Sequence, residues 1–303
     1  MKLLKLARHF VFFGASAFVF AFTFLFYKNV APSYVAKTAE AVDVTLTPTV
    51  PLTPKAPDYF PVISAQGVYA FELSSGRVLY EKDSEVPLFP ASTTKIVTAL
   101  VALDSYNFDA VLNTGKFSVT GSKMGLTWGE NITARDLLYG LLIHSANDAA
   151  EVLAINFPGG RDRFIETMNE KAYALGAFNT HFSNPSGLDE EVQATTARDL
   201  ARISAQAMGK PEFAEIVATE SYTAHDTSGT TVHYLKNKNE LLGKVPGVLG
   251  VKTGWTESAR ENLVTYVERD GKKVLTAVLG SQDRFGETEE LIEWIFSEYY
   301  SAP

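Results

Sequence analysis

Three short segments carry residues whose types and spacing could do chemistry. The first, Ser92-Thr93-Thr94-Lys95, opens a run of alanine, isoleucine, valine and leucine. On a helix, a spacing of three puts hydroxyl and amine on one face. Ile96, Ala99 and Leu103 continue that face, so it points inward. A buried ammonium is costly, and burial beside a second cation lowers a lysine pKa. The neutral amine that results could take the serine proton and make the serine a nucleophile. A serine in the first turn also has unpaired backbone N–H groups and the positive helix end beside it. The structural alternative is a capping serine and a lysine that snorkels to water. Ser145-Ala146-Asn147 falls between two predicted helices and Lys252-Thr253-Gly254 on a predicted strand. Each has its own structural alternative: a helix entry capped by Asn147, and an edge strand with a solvated lysine. Three such segments in this order, each on a suitable element, argue for one nucleophilic site.

The positioning elements follow from periodicity. Alternation over Val68–Leu73 and Val78–Tyr80, with Ser74-Ser75-Gly76 between, predicts a hairpin. Helices are expected over 92–104, over 133–143 with Thr133 as cap, and over 147–156. Another runs from 161 to Gly176, a C-terminal cap, and another over 195–208 with a threonine cap. The tail changes character. Residues 247–254, 261–270 and 272–281 read as strands, with Asp270-Gly271 turning between the last two, and 287–300 reads as an amphipathic helix. Hairpin, helices, strands, helix is the order of an α/β (α+β) domain. Its antiparallel sheet would be built from both chain ends, with a helical region inserted between.

Composition bounds the rest. The 303 residues are 46% hydrophobic and 20% charged, enough for a sizeable core. A net charge of −8 leaves no basic footprint for nucleic acid. No cysteine is present, which excludes disulfide and thiol chemistry. Lys2, Lys5 and Arg8 precede an uncharged apolar run over 10–27. Residues 1–27 are thus expected to be a retained membrane anchor or a cleaved signal, with the remainder outside the cytoplasm. Residues 28–60, broken by Pro51, Pro54 and Pro57, read as a semi-extended linker. The folded domain is expected over 61–303.

The sequence resembles the penicillin-binding D-alanyl-D-alanine carboxypeptidases, the low-molecular-mass serine peptidases of bacterial cell walls. Their S-x-x-K, S-x-N and K-T-G motifs appear as Ser92–Lys95, Ser145–Asn147 and Lys252–Gly254. "SNPSGLDE", "TTARDLARI" and "NKNELLGKVPGVLGVKTGWT" extend the likeness across about 61–300. The resemblance implies a serine β-lactamase/DD-peptidase-like fold and a Ser92 acyl-enzyme, with Lys95 as general base. It implies that Ser145 relays a proton to the leaving amine. Asn147 would bind the substrate backbone and steady Lys95, while Lys252 and Thr253 face the terminal carboxylate. Gly254 completes the third motif, and the oxyanion hole would be the backbone N–H groups of Ser92 and Trp255. Arg284, just before the last helix, would help bind the carboxylate. Neither metal nor other cofactor is needed. The implied partners are peptidoglycan stem peptides ending in D-Ala-D-Ala, β-lactams as covalent inhibitors, and the membrane through the N-terminal helix. The place would be the bacterial cell envelope, as an extracytoplasmic domain anchored to the cytoplasmic membrane or secreted after cleavage.

The chain departs from the family pattern at Arg260 and Glu261, where a glycine and an apolar residue are usual, so crowding beside the site is expected to alter substrate preference. Cleavage of cross-links, making a DD-endopeptidase, stays open. A class A β-lactamase would need a loop carboxylate to activate deacylating water. The nearest candidate, "ETMNE" at 166–170, falls on a predicted helix. A zinc site at His225, Asp226 and His233 lacks the spacing of a metal-binding helix face. His144 reads as a helix-end residue, and a non-catalytic wall-binding module remains the alternative from a different class.

Overall fold

A computed structural model describes residues 60–300. The expected anchor or signal over 1–27 and all of the 28–60 linker except Phe60 lie outside the described residues. The hairpin is strand β1 (Gly67–Glu72) and strand β2 (Val78–Lys82). A 3-10 turn (Ala91–Thr94) leads into helix α1 (Lys95–Ser105), so Ser92 sits on the turn and not on the α-helix itself. Two three-residue strands follow, β3 (Val111–Asn113) and β4 (Asn131–Thr133). Then come α2 (Ala134–Leu142), α3 (Asn147–Ile155), α4 (Gly160–Ala174), α5 (Ala197–Met208) and α6 (Pro211–Val217). A second hairpin, β5 (Ser221–His225) and β6 (Val232–Lys236), precedes β7 (Val248–Thr256), β8 (Arg260–Arg269), β9 (Lys272–Ser281) and the closing helix α7 (Arg284–Tyr300).

Both chain ends build one antiparallel sheet, in the order β2-β1-β9-β8-β7. Strand alternation assigns its faces. On β9, Val274 and Val278 pack with Val68, Ala70, Leu291, Trp294 and Ile295 beneath α7. Leu275, Ala277 and Leu279 turn the other way, into the large core shared with the helical region. Burial on both faces explains why β9 reads as an almost unbroken apolar run.

Local chemistry fixes the helix ends. Thr133 and Thr196 cap α2 and α5, their hydroxyls accepting from Asp136 N at 3.1 Å and Asp199 N at 3.0 Å. Beyond α4, Gly176 takes a φ of +76°, the left-handed stop that its position suggests. Asp270 and Gly271, both at positive φ, make the β8–β9 turn. Helix α1 is buried from Lys95 through Ala102. A helix apolar on every side belongs in the middle of a core, so Lys95 has no route to water along it.

Candidate active site

The turn that carries Ser92 begins at Ala91, whose φ is +48°. Three residues per turn eclipse positions i and i+3, which brings Lys95 Nζ to 3.0 Å from Ser92 Oγ. Lys95 is 0% exposed. Its amine also donates to the Ser186 carbonyl at 2.5 Å. Burial first, then the Lys238 cation, lowers the Lys95 pKa to about 7; Asp148 opposes the shift. The buried lysine is therefore not a snorkelling one, and near neutral pH much of it is free amine.

Ser145 sits between α2 and α3 with a φ of +62°, a strained conformation for a residue with a Cβ. Lys252, on edge strand β7 and 1% exposed, donates to Ser145 Oγ at 2.9 Å and to Thr253 O at 2.9 Å. Burial and the neighbouring Lys95, Lys238 and Arg284 cations push Lys252 well below its ordinary range. Asn147 opens α3. Its Nδ2 donates to Thr120 O at 2.6 Å, and no hydrogen bond joins it to Lys95 among the described contacts. Its buried Oδ1 has no hydrogen-bond partner there. On β7, Thr253 is buried and the Trp255 side chain stands exposed. A Cβ on Gly254 would lie 3.1 Å from Ser92 N and 3.2 Å from Pro90 O, so the strand approaches the serine turn closely because it has no side chain there.

Arg284 is the first residue of α7, which begins three residues earlier than the sequence suggests. Its guanidinium donates to Gly254 O at 2.9 Å. The unusual Glu261 accepts from Arg284 N at 2.9 Å, so its carboxylate holds the start of α7 and does not crowd the serine. Arg260 takes a φ of +57°, the left-handed region that makes glycine the usual residue there.

Several contributors escaped sequence reasoning. Lys238 appears there only inside a longer likeness, yet its amine bonds Ser122 Oγ at 2.6 Å and its charge acts on both buried lysines. Asn184 Oδ1 accepts from the backbone N–H groups of Ser186, Gly187 and Leu188, shaping the loop that offers its carbonyl to Lys95. Asn262 Nδ2 ties Phe89 O and Pro90 O, just before the serine turn, to the sheet. Asp148 accepts from Met124, Gly125 and Leu126 N–H groups and fixes the loop beside Asn147.

The competing readings find other uses for their residues. Glu166 and Glu170 lie on α4 and pair with Arg163 at the surface. His233 Nε2 meets Glu130 at 2.6 Å and its Nδ1 meets Met124 O at 3.1 Å. Asp226 binds within its own turn. His144 Nδ1 accepts from Lys236 N at 3.4 Å, and burial with Lys238 lowers its pKa.

Comparison with known proteins fits this geometry. Residues 53–283 match the peptidase family described as D-alanyl-D-alanine carboxypeptidase. The D-alanyl-D-alanine carboxypeptidase DacB2 of Mycobacterium tuberculosis is 37% identical over 243 residues, covering 77% of this chain and 82% of that protein. That of Streptomyces sp. strain K15 is 37% identical over 239 residues, covering 73% and 82%. The crystal structure of the Streptomyces K15 DD-transpeptidase superposes with a TM-score of 0.74 at 34% identity, covering 79% of this chain and 99% of that one.

Proposed function

Because the chain belongs to the D-alanyl-D-alanine carboxypeptidase family of serine peptidases, we propose that it removes the terminal D-alanine of peptidoglycan stem peptides through a Ser92 acyl-enzyme. The observation that carries this reading is a fully buried lysine, its amine pKa lowered to about 7, held 3.0 Å from a serine hydroxyl.

Ser92 Oγ attacks the carbonyl carbon of the penultimate D-alanine and its proton passes to Lys95 Nζ. The developing oxyanion faces the Ser92 and Trp255 N–H groups; one such donor is worth about 3–4 kcal/mol. The C–N bond then breaks, and Ser145, polarised by Lys252 at 2.9 Å, hands a proton to the departing amine and receives in its place the proton held by Lys95. Water then attacks the acyl carbon, the bond to Ser92 Oγ breaks, and the water proton passes through the Lys95 amine to Ser92 Oγ. The unpartnered Asn147 Oδ1 accepts from a substrate N–H, since leaving a buried acceptor unpaired costs about 1–3 kcal/mol. Lys252 and Thr253, with Arg284 and the nearby Lys238, supply donors and positive charge for the free carboxylate. A cross-link through a lysine side-chain amine lacks that carboxylate, so this cluster favours the terminal D-alanine over such a cross-link. β-Lactams acylate the same serine. The basic-flanked apolar run over 10–27 supports an extracytoplasmic domain anchored to the cytoplasmic membrane, or secreted where the run is cleaved.

Mass analysis of products from defined muropeptides tests the reaction. Free D-alanine released from uncross-linked stems is expected; release of stems only from cross-linked dimers would replace the carboxypeptidase reading. The acylation rate is also expected to climb with pH through about 7, as the amine loses its proton. A rate that stayed flat from about pH 5 to 9 would exclude Lys95 as the base.

A further inference from the structure

The connection between β3 and β4 encloses a second concavity of about 590 Å³, beside the catalytic cleft. Asp148, the residue after Asn147, lies at its base. The carboxylate already accepts four backbone N–H groups, from Met124, Ala149, Gly125 and Leu126, so its lone pairs are spent. The other polar side chains lining the space are those of Lys116, Ser118 and Lys123, and the apolar walls include Phe117, Leu126 and Trp128. Trp128 is 74% exposed, and Lys116 Nζ lies over one side of its ring, 4.9 Å from the centroid.

This tryptophan is not at the tip of a loose loop. Thr127 N donates to Glu130 Oε2 at 2.9 Å, and Glu130 is locked to buried His233 at 2.6 Å. Thr114 Oγ1 ties Thr127 O across the excursion at 2.7 Å. A large exposed ring on an anchored backbone, sharing the edge of a concavity with Phe117 and Leu126, offers a flat apolar face for stacking.

We propose that this cleft is a subsite for the saccharide to which the stem peptide is attached. The apolar face of an N-acetylated amino sugar stacks on the free side of Trp128, and Lys116 and Lys123 donate to its hydroxyl and acetamido oxygens. Naming this occupant rests on the carboxypeptidase reading. An extended stem of about five residues reaches no more than roughly 17 Å, so its sugar is held within that distance of Ser92. An anionic polymer fits less well, because it would leave the exposed, uncharged face of Trp128 without a partner.

Two measurements on the full chain decide the matter. The first is a fluorescence titration with the glycan disaccharide alone, on wild type and Trp128→Phe; a saturable change that disappears in the variant is expected. The second compares D-alanine release from a free stem peptide and from the same peptide on its disaccharide. Wild type should favour the glycan-linked substrate by about five- to tenfold in kcat/KM, mostly through KM. Trp128→Ala should erase that preference and leave the free-peptide rate unchanged. No disaccharide binding, an unchanged preference in Trp128→Ala, or an equal loss on both substrates would overturn the subsite. So would a salt-sensitive loss in Lys116→Ala with no effect of Trp128→Ala, which would indicate an anionic ligand. Disaccharide binding through Trp128 without D-alanine release from either peptide would uphold the subsite and refute the activity.

Discussion

Ser92→Ala and Lys95→Met are each expected to leave the protein without a benzylpenicillin adduct in intact-mass spectra at exposures that fully label wild type. Alanine at 92 removes the attacking oxygen, so its loss should be complete. Methionine at 95 keeps the volume of a buried side chain and removes only the amine. A positioned general base contributes about 10²–10⁴-fold, and acylation should slow by that factor. Wild-type labelling rates in Lys95→Met would assign the proton transfer elsewhere.

The two substitutions should differ in their effect on folding. Lys95 has a folded pKa of about 7 against an ordinary 10.5. Between those values the unfolded chain binds a proton that the folded chain does not. Wild-type stability therefore rises with pH across that window, and the full cost of burying the amine is felt below about 7. At roughly 1.4 kcal/mol per pH unit, the penalty reaches several kcal/mol at neutral pH. Lys95→Met lacks it, so the variant's melting temperature relative to wild type should fall as pH rises from 7 towards 10. The slope is the informative quantity, because methionine also strips Ser186 O of its donor. Parallel melting curves across that range would contradict the buried-amine account.

Local signals and long-range contacts were not equally legible in the sequence. Thr133, Thr196, Gly176 and Asp270-Gly271 act on residues a few places away, and their elements stand where the periodicity puts them. Strands β3 and β4, three residues each, are too short to show alternation, and helix α6 has only seven. The three motifs name the reacting groups but not their supports. Lys95 meets Ser186 across 91 positions, and Asn262 reaches Phe89 across 173. Periodicity reports which face a residue occupies; it carries no information about which distant carbonyl waits on that face. Glu261 shows the same limit in reverse. Read alone it is a charge crowding the site, yet its partner is a backbone N–H at the start of α7.

Gly187→Ala should damage both folding and acylation, far more than the number of atoms added suggests. A Cβ there would lie 1.8 Å from Ala91 O and 2.4 Å from Ala91 C, in the peptide immediately before Ser92. The obstacle is backbone, which cannot rotate aside as a side chain can. The glycine also sits at a φ of +85°, where a Cβ costs about 1–2 kcal/mol without any clash. Relief requires the loop to retreat from the serine turn, and the Ser186 carbonyl then leaves Lys95 Nζ. The combined cost is expected to reach about 3–5 kcal/mol, a melting-temperature loss of about 10 °C for a domain of this size. Gly229→Ala is the matched control, since its φ is +72° and nothing lies within 4 Å of the added carbon. It should lose only the conformational part and acylate at the wild-type rate. Equal losses in the two variants would mean that the loop carrying Ser186 does not press on the nucleophile's turn, and the geometry assigned to Lys95 would lose its principal support.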